Sequence, residues 1–306
     1  MLPCKNRVHS CSQSNEQSLT LHNQVWSYVM AFEHELQVAT DLAKEAGSLI
    51  LKYFGQPVPQ EQKADDSPVT KADKEANALI VKGLRAAFPE DLIIAEESEL
   101  PTERKDARRV WSVDPLDGTR EFIDHLEMYV VMIGLAIDGE AVLGVVYQPN
   151  QDWLCVGSPA GASMTKGGAP LPIRLTDRST ISDTTLCVSR SHPSKTLNEI
   201  AGRHNNVTML PVGSVGLKIA HVLAGDADAY ISTADRMKEW DTCAPEAILR
   251  AAGGLVTDCV GAPLRYNKED IKQPYGIIAS NGPVHEAFRQ ELIPVCRDRG
   301  WPRREA

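Results

Sequence analysis

Two apolar runs, Val130–Ile137 and Ala141–Gln148, are separated by little more than Asp138-Gly139. An Asp-Gly step supplies the positive φ angles of a tight turn, so the runs are predicted to pair as an antiparallel hairpin. Glycines at 157, 161, 167 and 168 divide the following stretch into further short antiparallel strands. Upstream, Leu36, Ala39, Ala43, Ala46, Ile50 and Phe54 recur at spacings of three and four, which predicts a helix with one buried face over 33–54. A second helix spans about 71–87 and stops at Pro89, and Leu92-Ile-Ile-Ala95 follows as a strand. The first half therefore reads as helices packed on a meander.

From about Thr184 the texture changes. Strands at 185–189, 207–210, 229–232 and 255–258 alternate with helices at 194–203, 215–224 and 241–252. Such alternation predicts a layered α/β half. The polar Thr176-Asp-Arg-Ser-Thr180 marks the boundary, giving an N-terminal α+β domain over 30–180 and a C-terminal α/β domain over 181–306. Residues 1–29 are polar and aperiodic and read as a disordered extension. Met30, just before the first helix, is a candidate natural start, which N-terminal sequencing would test.

Composition narrows the function. A formal net charge of −9 argues against binding a nucleic-acid polymer, which needs a basic face, but not against a small anion recruited through metal. Seven scattered cysteines without a C-x-x-C pair indicate reduced thiols in a cytoplasm, not a disulfide framework or zinc site. No run is long and apolar enough for a membrane span, and no signal peptide is evident.

The chemistry is concentrated in Trp111-Ser-Val-Asp-Pro-Leu-Asp-Gly-Thr-Arg-Glu-Phe122. In a regular strand Asp114 and Asp117 would face opposite ways, but a turn at Pro115 lets them converge, and paired carboxylates suit Mg²⁺. Gly118 and Thr119 open a short helix whose free N–H groups suit a phosphate. Taken alone, the stretch is equally well an Asp-rich turn capping a helix. Glu96-Glu97-Ser98 after a strand reads as a solvated loop, and Asp241 before an apolar helix reads as its N-cap, with Asp73 similarly placed.

Together and in this order, Asp73, Glu96-Glu97-Ser98, Asp114-Pro-Leu-Asp-Gly-Thr119 and Trp240-Asp241 resemble the inositol monophosphatase superfamily, over Glu33 to about Phe288. The resemblance implies an αβαβα sandwich and a metal-dependent phosphatase inhibited by Li⁺. It implies two or three Mg²⁺ ions held by Glu96, Asp114, Asp117, Asp241 and the carbonyl of Leu116. Thr119, supported by Asp73, would orient or deprotonate the attacking water, and Glu97 would be an outer carboxylate or the ligand of a weaker metal. Gly118-Thr-Arg-Glu-Phe122, Val188-Ser-Arg-Ser-His192, Gly213-Ser-Val-Gly-Leu-Lys218 and Trp240-Asp-Thr-Cys-Ala-Pro-Glu-Ala-Ile248 look like the 3′(2′),5′-bisphosphate nucleotidase branch. That branch hydrolyses the 3′-phosphate of adenosine 3′,5′-bisphosphate, a by-product of sulfur metabolism. Gly118, Thr119, Arg190, His192, Ser214, Lys218 and Asp241 are then the expected substrate contacts. Lys218 reads otherwise as a solvated residue of an amphipathic helix. Inositol monophosphate or histidinol phosphate is the alternative substrate, and a catalytically silent nucleotide or metal sensor is the alternative class. Residues 232–239 lack the Pro-Gly step of eukaryotic members. A monomer or a homodimer is compatible with this reading.

Overall fold

The computed structural model describes residues 32–56, 59–62, 68–102 and 104–302. The extension at 1–29 and the candidate start at Met30 lie outside the described residues. Helices α1 (Glu33–Leu51) and α2 (Lys71–Ala87) flank a small antiparallel pair, β1 (Gln60–Gln62) and β2 (Pro68–Thr70). Seven strands then form one sheet in chain order: β3 (Leu92–Ala95), β4 (Arg109–Asp117), β5 (Val130–Ile137), β6 (Glu140–Gln148), β7 (Trp153–Ser158), β8 (Gly161–Lys166) and β9 (Ala169–Leu171). The short helix α3 (Thr119–Ile123) follows β4. Only β3 and β4 pair parallel; the rest is the predicted meander.

The second half contributes β10 (Thr185–Ser189), α4 (Lys195–Arg203), β11 (Thr208–Val212), α5 (Val215–Ala224), β12 (Ala229–Ser232), α6 (Glu239–Ala251), β13 (Leu255–Thr257), β14 (Ile277–Ser280) and α7 (His285–Asp298). Its strands form a five-stranded sheet in the order β11-β10-β12-β14-β13. β11, β10 and β12 run parallel, whereas β14 runs antiparallel to both of its neighbours. The sheet is thus mixed. The sequence reading had not separated β14 and α7 from the aperiodic residues after Asp258.

Strict alternation along β5 explains the layers. Val131, Ile133 and Leu135 pack with α1 and α2, while Val130, Met132 and Ala136 pack with α5 and α6. Both faces of the strand are apolar because both are covered. Each fully buried aliphatic side chain here contributes roughly 2 kcal/mol of transfer free energy. In the smaller sheet Cys187, Tyr230, Ile277 and Ala279 face the same α5–α6 layer, and Leu186, Ala229, Ile231 and Ile278 face α4 and α7. The result is the expected αβαβα sandwich. No helix among the described residues is long and apolar enough to cross a membrane.

The central helix α6 rests on a row of glycines. Gly134, Gly144 and Gly157 are cross-strand partners on β5, β6 and β7. A Cβ at these positions would lie 2.7 Å from Ala244 N, 2.2 Å from Ala244 O and 2.5 Å from Ile248 Cα. Backbone lies against backbone there, and this close approach sets the height of Asp241 above the sheet. The helix begins at Glu239, so Asp241 is not its N-cap as expected but sits within its first turn.

Candidate active site

The strand β4 runs on through Pro115 to Asp117, where a turn at Pro115 was expected. Opposite β5, Asp114 pairs with Met132 and Asp117 with Val130, so three steps on one strand answer two on the other. This is a β-bulge, and it turns the two aspartates toward the same end of the sheet. Asp114 Oδ1 accepts the Leu116 N–H at 3.0 Å, a local turn that fixes the Leu116 peptide. Gly118 then takes φ +100°, a conformation and a space reserved for glycine, because a Cβ would sit 2.7 Å from Met128 O.

Thr119 opens α3, and its hydroxyl lies 3.0 Å from Asp73 Oδ1 and 3.1 Å from the Leu116 carbonyl. Asp73 belongs to a capping box at the start of α2. Its Oδ2 accepts the Thr70 N–H at 2.8 Å and the Thr70 hydroxyl at 2.5 Å. Burial raises the Asp73 carboxyl above the usual range, the Thr70 and Thr119 bonds oppose this, and nearby Glu96 adds to the rise. Asp73 is therefore more than a cap. One oxygen holds the helix and the other holds Thr119.

Glu96 follows β3 and donates its backbone N–H to Val113 O at 3.0 Å, which ties it beside β4. Glu97 occupies the same half-buried turn. Asp117 reaches across to the second half, where its Oδ2 accepts the Ser214 hydroxyl at 2.7 Å, the Gly216 N–H at 3.2 Å and the Val215 N–H. It caps α5 from outside. Asp241 Oδ2 accepts the Lys238 N–H at 2.6 Å. Burial pushes the Asp241 carboxyl well above its ordinary range, and the neighbouring Glu96 and Asp117 carboxylates push it further. Burial also raises Asp117, against the opposing pull of the Lys218 ammonium and its hydrogen bonds.

Glu96 and Asp117 thus both act on Asp241, and the three come from three elements and both halves. Hard carboxylate oxygens in mutual repulsion are the donor chemistry of a divalent cation such as Mg²⁺. Among the described residues no three acidic, His or Cys side chains close into a ready metal cage.

The expected substrate contacts divide. Ser214 is buried, caps α5 by accepting the Leu217 N–H at 3.1 Å, and donates to Asp117. Lys218 is buried as well and does not lie on a solvated face. Its ammonium donates to Ser214 O at 3.0 Å and to Gly213 O, 5.0 Å above the Tyr230 ring. Burial lowers its pKa, which Asp117 partly offsets. The reason is that α5 is sandwiched between two sheets, so almost every position on it is interior. Arg190 pairs with Glu121 at 3.2 Å and Asp124 at 2.8 Å. His192 stays exposed, and partial burial together with the Arg120 and Arg236 guanidiniums lowers its pKa. Arg120 and Arg236 are exposed cations that the sequence reading passed over. So was Glu121, although it stands inside the quoted motif.

The protein-family model described as the inositol monophosphatase family matches residues 32–297. The 3′(2′),5′-bisphosphate nucleotidase CysQ of Escherichia coli K12 is 34% identical, covering 77% of this chain and 95% of its own. The crystal structure of CysQ from Bacteroides thetaiotaomicron is 31% identical with a TM-score of 0.70, covering 82% of this chain and 99% of its own. An inositol monophosphatase from Anabaena, 29% identical, also superposes with a TM-score of 0.70, covering 86% of this chain and 97% of its own.

Proposed function

The chain belongs to the inositol monophosphatase family, and within it we propose a Mg²⁺-dependent enzyme that removes the 3′-phosphate of adenosine 3′,5′-bisphosphate to leave AMP and phosphate. It is a phosphoric monoester hydrolase, like the nucleotidases it resembles. The observation that carries the reading is the Thr70–Asp73–Thr119 hydrogen-bond chain standing beside the Glu96, Asp117 and Asp241 carboxylates.

Two or three Mg²⁺ ions held by Glu96, Asp114, Asp117, Asp241 and the Leu116 carbonyl would neutralise phosphate charge and acidify a water molecule. The chain's own groups do the positioning. Thr119, with its proton directed to Asp73, keeps a lone pair that accepts a hydrogen bond from water and turns the water oxygen toward phosphorus. As that oxygen bonds phosphorus, the proton of the water passes to Thr119 and the Thr119 proton to Asp73 Oδ1. Burial has already raised the affinity of Asp73 for it. The P–O3′ bond breaks, and the ribose oxygen leaves with a proton from solvent. Gly118 and Thr119 N–H groups would hold the phosphate in line, and Glu97 would support the acidic set from outside.

His192, with Arg120 and Arg236 around it, supports recognition of a second phosphate. Five described cysteines, at 155, 187, 243, 259 and 296, are buried free thiols, which supports a reducing cytoplasm as the working compartment. One observation favours the one-phosphate alternative: Arg190 and Lys218 are engaged internally. Phosphate release from adenosine 3′,5′-bisphosphate, inositol 1-phosphate and histidinol phosphate, with and without Mg²⁺, decides the matter. Activity on the bisphosphate no greater than on inositol 1-phosphate would overturn the proposal.

A further inference from the structure

Glu121 has no part in the chemistry above, yet it is a buried carboxylate two residues after Thr119. Its Oε1 accepts the Arg190 guanidinium at 3.2 Å and the Ser191 hydroxyl. A buried acid so placed is expensive without a partner, and both partners come from the loop after β10. Its aliphatic stem lies against Gly213, where a Cβ would be 2.7 Å from Glu121 Cγ and 2.4 Å from Met128 O. The Arg190 N–H in turn donates to Val212 O at 3.2 Å, joining that loop to the end of β11. One side chain of α3 thus meets the ends of two strands of the other sheet.

Those ends matter because β11, β10 and β12 are parallel, and the loops beyond their carboxyl ends form the usual ligand crevice of such sheets. Arg190, Ser191 and His192 leave β10 there; Gly213 and Ser214 leave β11; Arg236 leaves β12. Asp124, mostly exposed, takes the other side of the Arg190 guanidinium at 2.8 Å. With two carboxylates on it, Arg190 is neutralised and serves as a fastener.

We propose that Glu121 is a positioning residue for substrate recognition: through Arg190 and Ser191 it fixes the 190–192 loop against α3. It thereby sets the span between the phosphate cleaved at Thr119 and a second anionic group of the substrate beside His192. The inference rests on the bisphosphate reading above. It places Glu121 outside the reacting atoms, so its loss should fall on KM and not on kcat, and only for a substrate long enough to touch both ends.

The test compares kcat and KM of wild type and Glu121→Gln on adenosine 3′,5′-bisphosphate and adenosine 3′-monophosphate, with Mg²⁺ present. The glutamine keeps an acceptor for Ser191 and loses the charge that holds Arg190. KM for the bisphosphate should rise about tenfold, with kcat and the monophosphate KM within about threefold of wild type. The double variant Glu121→Gln/Arg190→Gln should be no worse than the poorer single variant. Equal KM changes on both substrates, a fall in kcat alone, or additive single effects would overturn the inference. If Glu121→Gln does not fold, Ser191→Ala and Arg190→Lys carry the same comparison. Wild type without preference for the bisphosphate overturns the substrate reading and the inference with it. A wild-type preference that Glu121→Gln leaves intact overturns the inference alone.

Discussion

The ends of the two sheets handle charge in opposite senses. At the seven-stranded sheet, Asp117 is held by the Ser214 hydroxyl and two N–H groups of α5, yet burial still raises its pKa against these bonds and the Lys218 ammonium. At the five-stranded sheet, Arg190 is held by two carboxylates of the α3 region, and Lys218 is sunk among backbone carbonyls. Each half thus restrains charged side chains of the other. Glu96 and Asp117 add their charge to Asp241 on one side, while Arg120, His192 and Arg236 lie near the surface on the other.

The largest break in this pattern is expected from Asp241→Asn, which deletes the acid contributed by the second half. It should lower kcat/KM on the order of 10³-fold, read by phosphate release in saturating Mg²⁺, while easing repulsion enough to raise the thermal midpoint in chelator. An unchanged rate would remove Asp241 from the site. Next, Thr119→Val and Asp73→Asn should each lower kcat about 10²-fold with KM little altered. Their double variant should lose no more than the worse single, since both act on one proton; additive losses would separate them.

Gly144→Ala should cost less in rate but more in stability. Its Cβ has no room beneath Ala244, so about 2 kcal/mol of stability and roughly tenfold in activity should go as α6 shifts. Urea unfolding and kcat/KM on the same preparation would check this, and a variant stable as wild type would show that the helix can yield.

The smallest effect concerns acid stability, where two buried groups oppose each other. His285 lies between the hydroxyls of Ser280 and Thr257, each at 2.9 Å, and burial lowers its pKa to about 4. Unfolded it takes a proton near 6.5, so its contribution is present above that pH and is lost as pH falls toward 4. Glu246, with the Tyr266 hydroxyl at 2.5 Å and Arg250 at 3.4 Å, is raised by burial to about 7. It favours the folded state at low pH and loses that effect as pH rises to 7. Each shift is worth roughly 3 kcal/mol, so between pH 4.5 and 6.5 the wild type should show a shallow slope. Glu246→Gln should leave stability rising with pH, and His285→Gln should leave it falling. Parallel slopes in both variants would refute the pairing.

Much of this was legible in the chain. The Asp138-Gly139 hairpin, α1 and α2 follow from local periodicity and turn chemistry. What was not legible depends on packing at long range. Lys218 reads as solvated on its own helix, and only the second sheet over α5 buries it. Nothing local joins Glu121 to Arg190, 69 positions away. Asp241 reads as a cap because Trp240 and Glu239 carry no helix-start signal, yet Asn267 and Lys268 N–H groups bind the buried Glu239 and lengthen the helix. The aperiodic stretch after Asp258 hides β14, whose pairing partners lie far away in the chain.

The glycine row under α6 has a consequence for how this site can change. With no side chain at Gly134, Gly144 and Gly157, nothing at these positions can be trimmed, and an added Cβ presses on the backbone of α6. A substitution at any of these three positions moves the helix itself. Gradual variation is left to the loops at the far ends of the strands, so in this molecule the machinery of the reaction is slow to drift while the choice of substrate stays open to it.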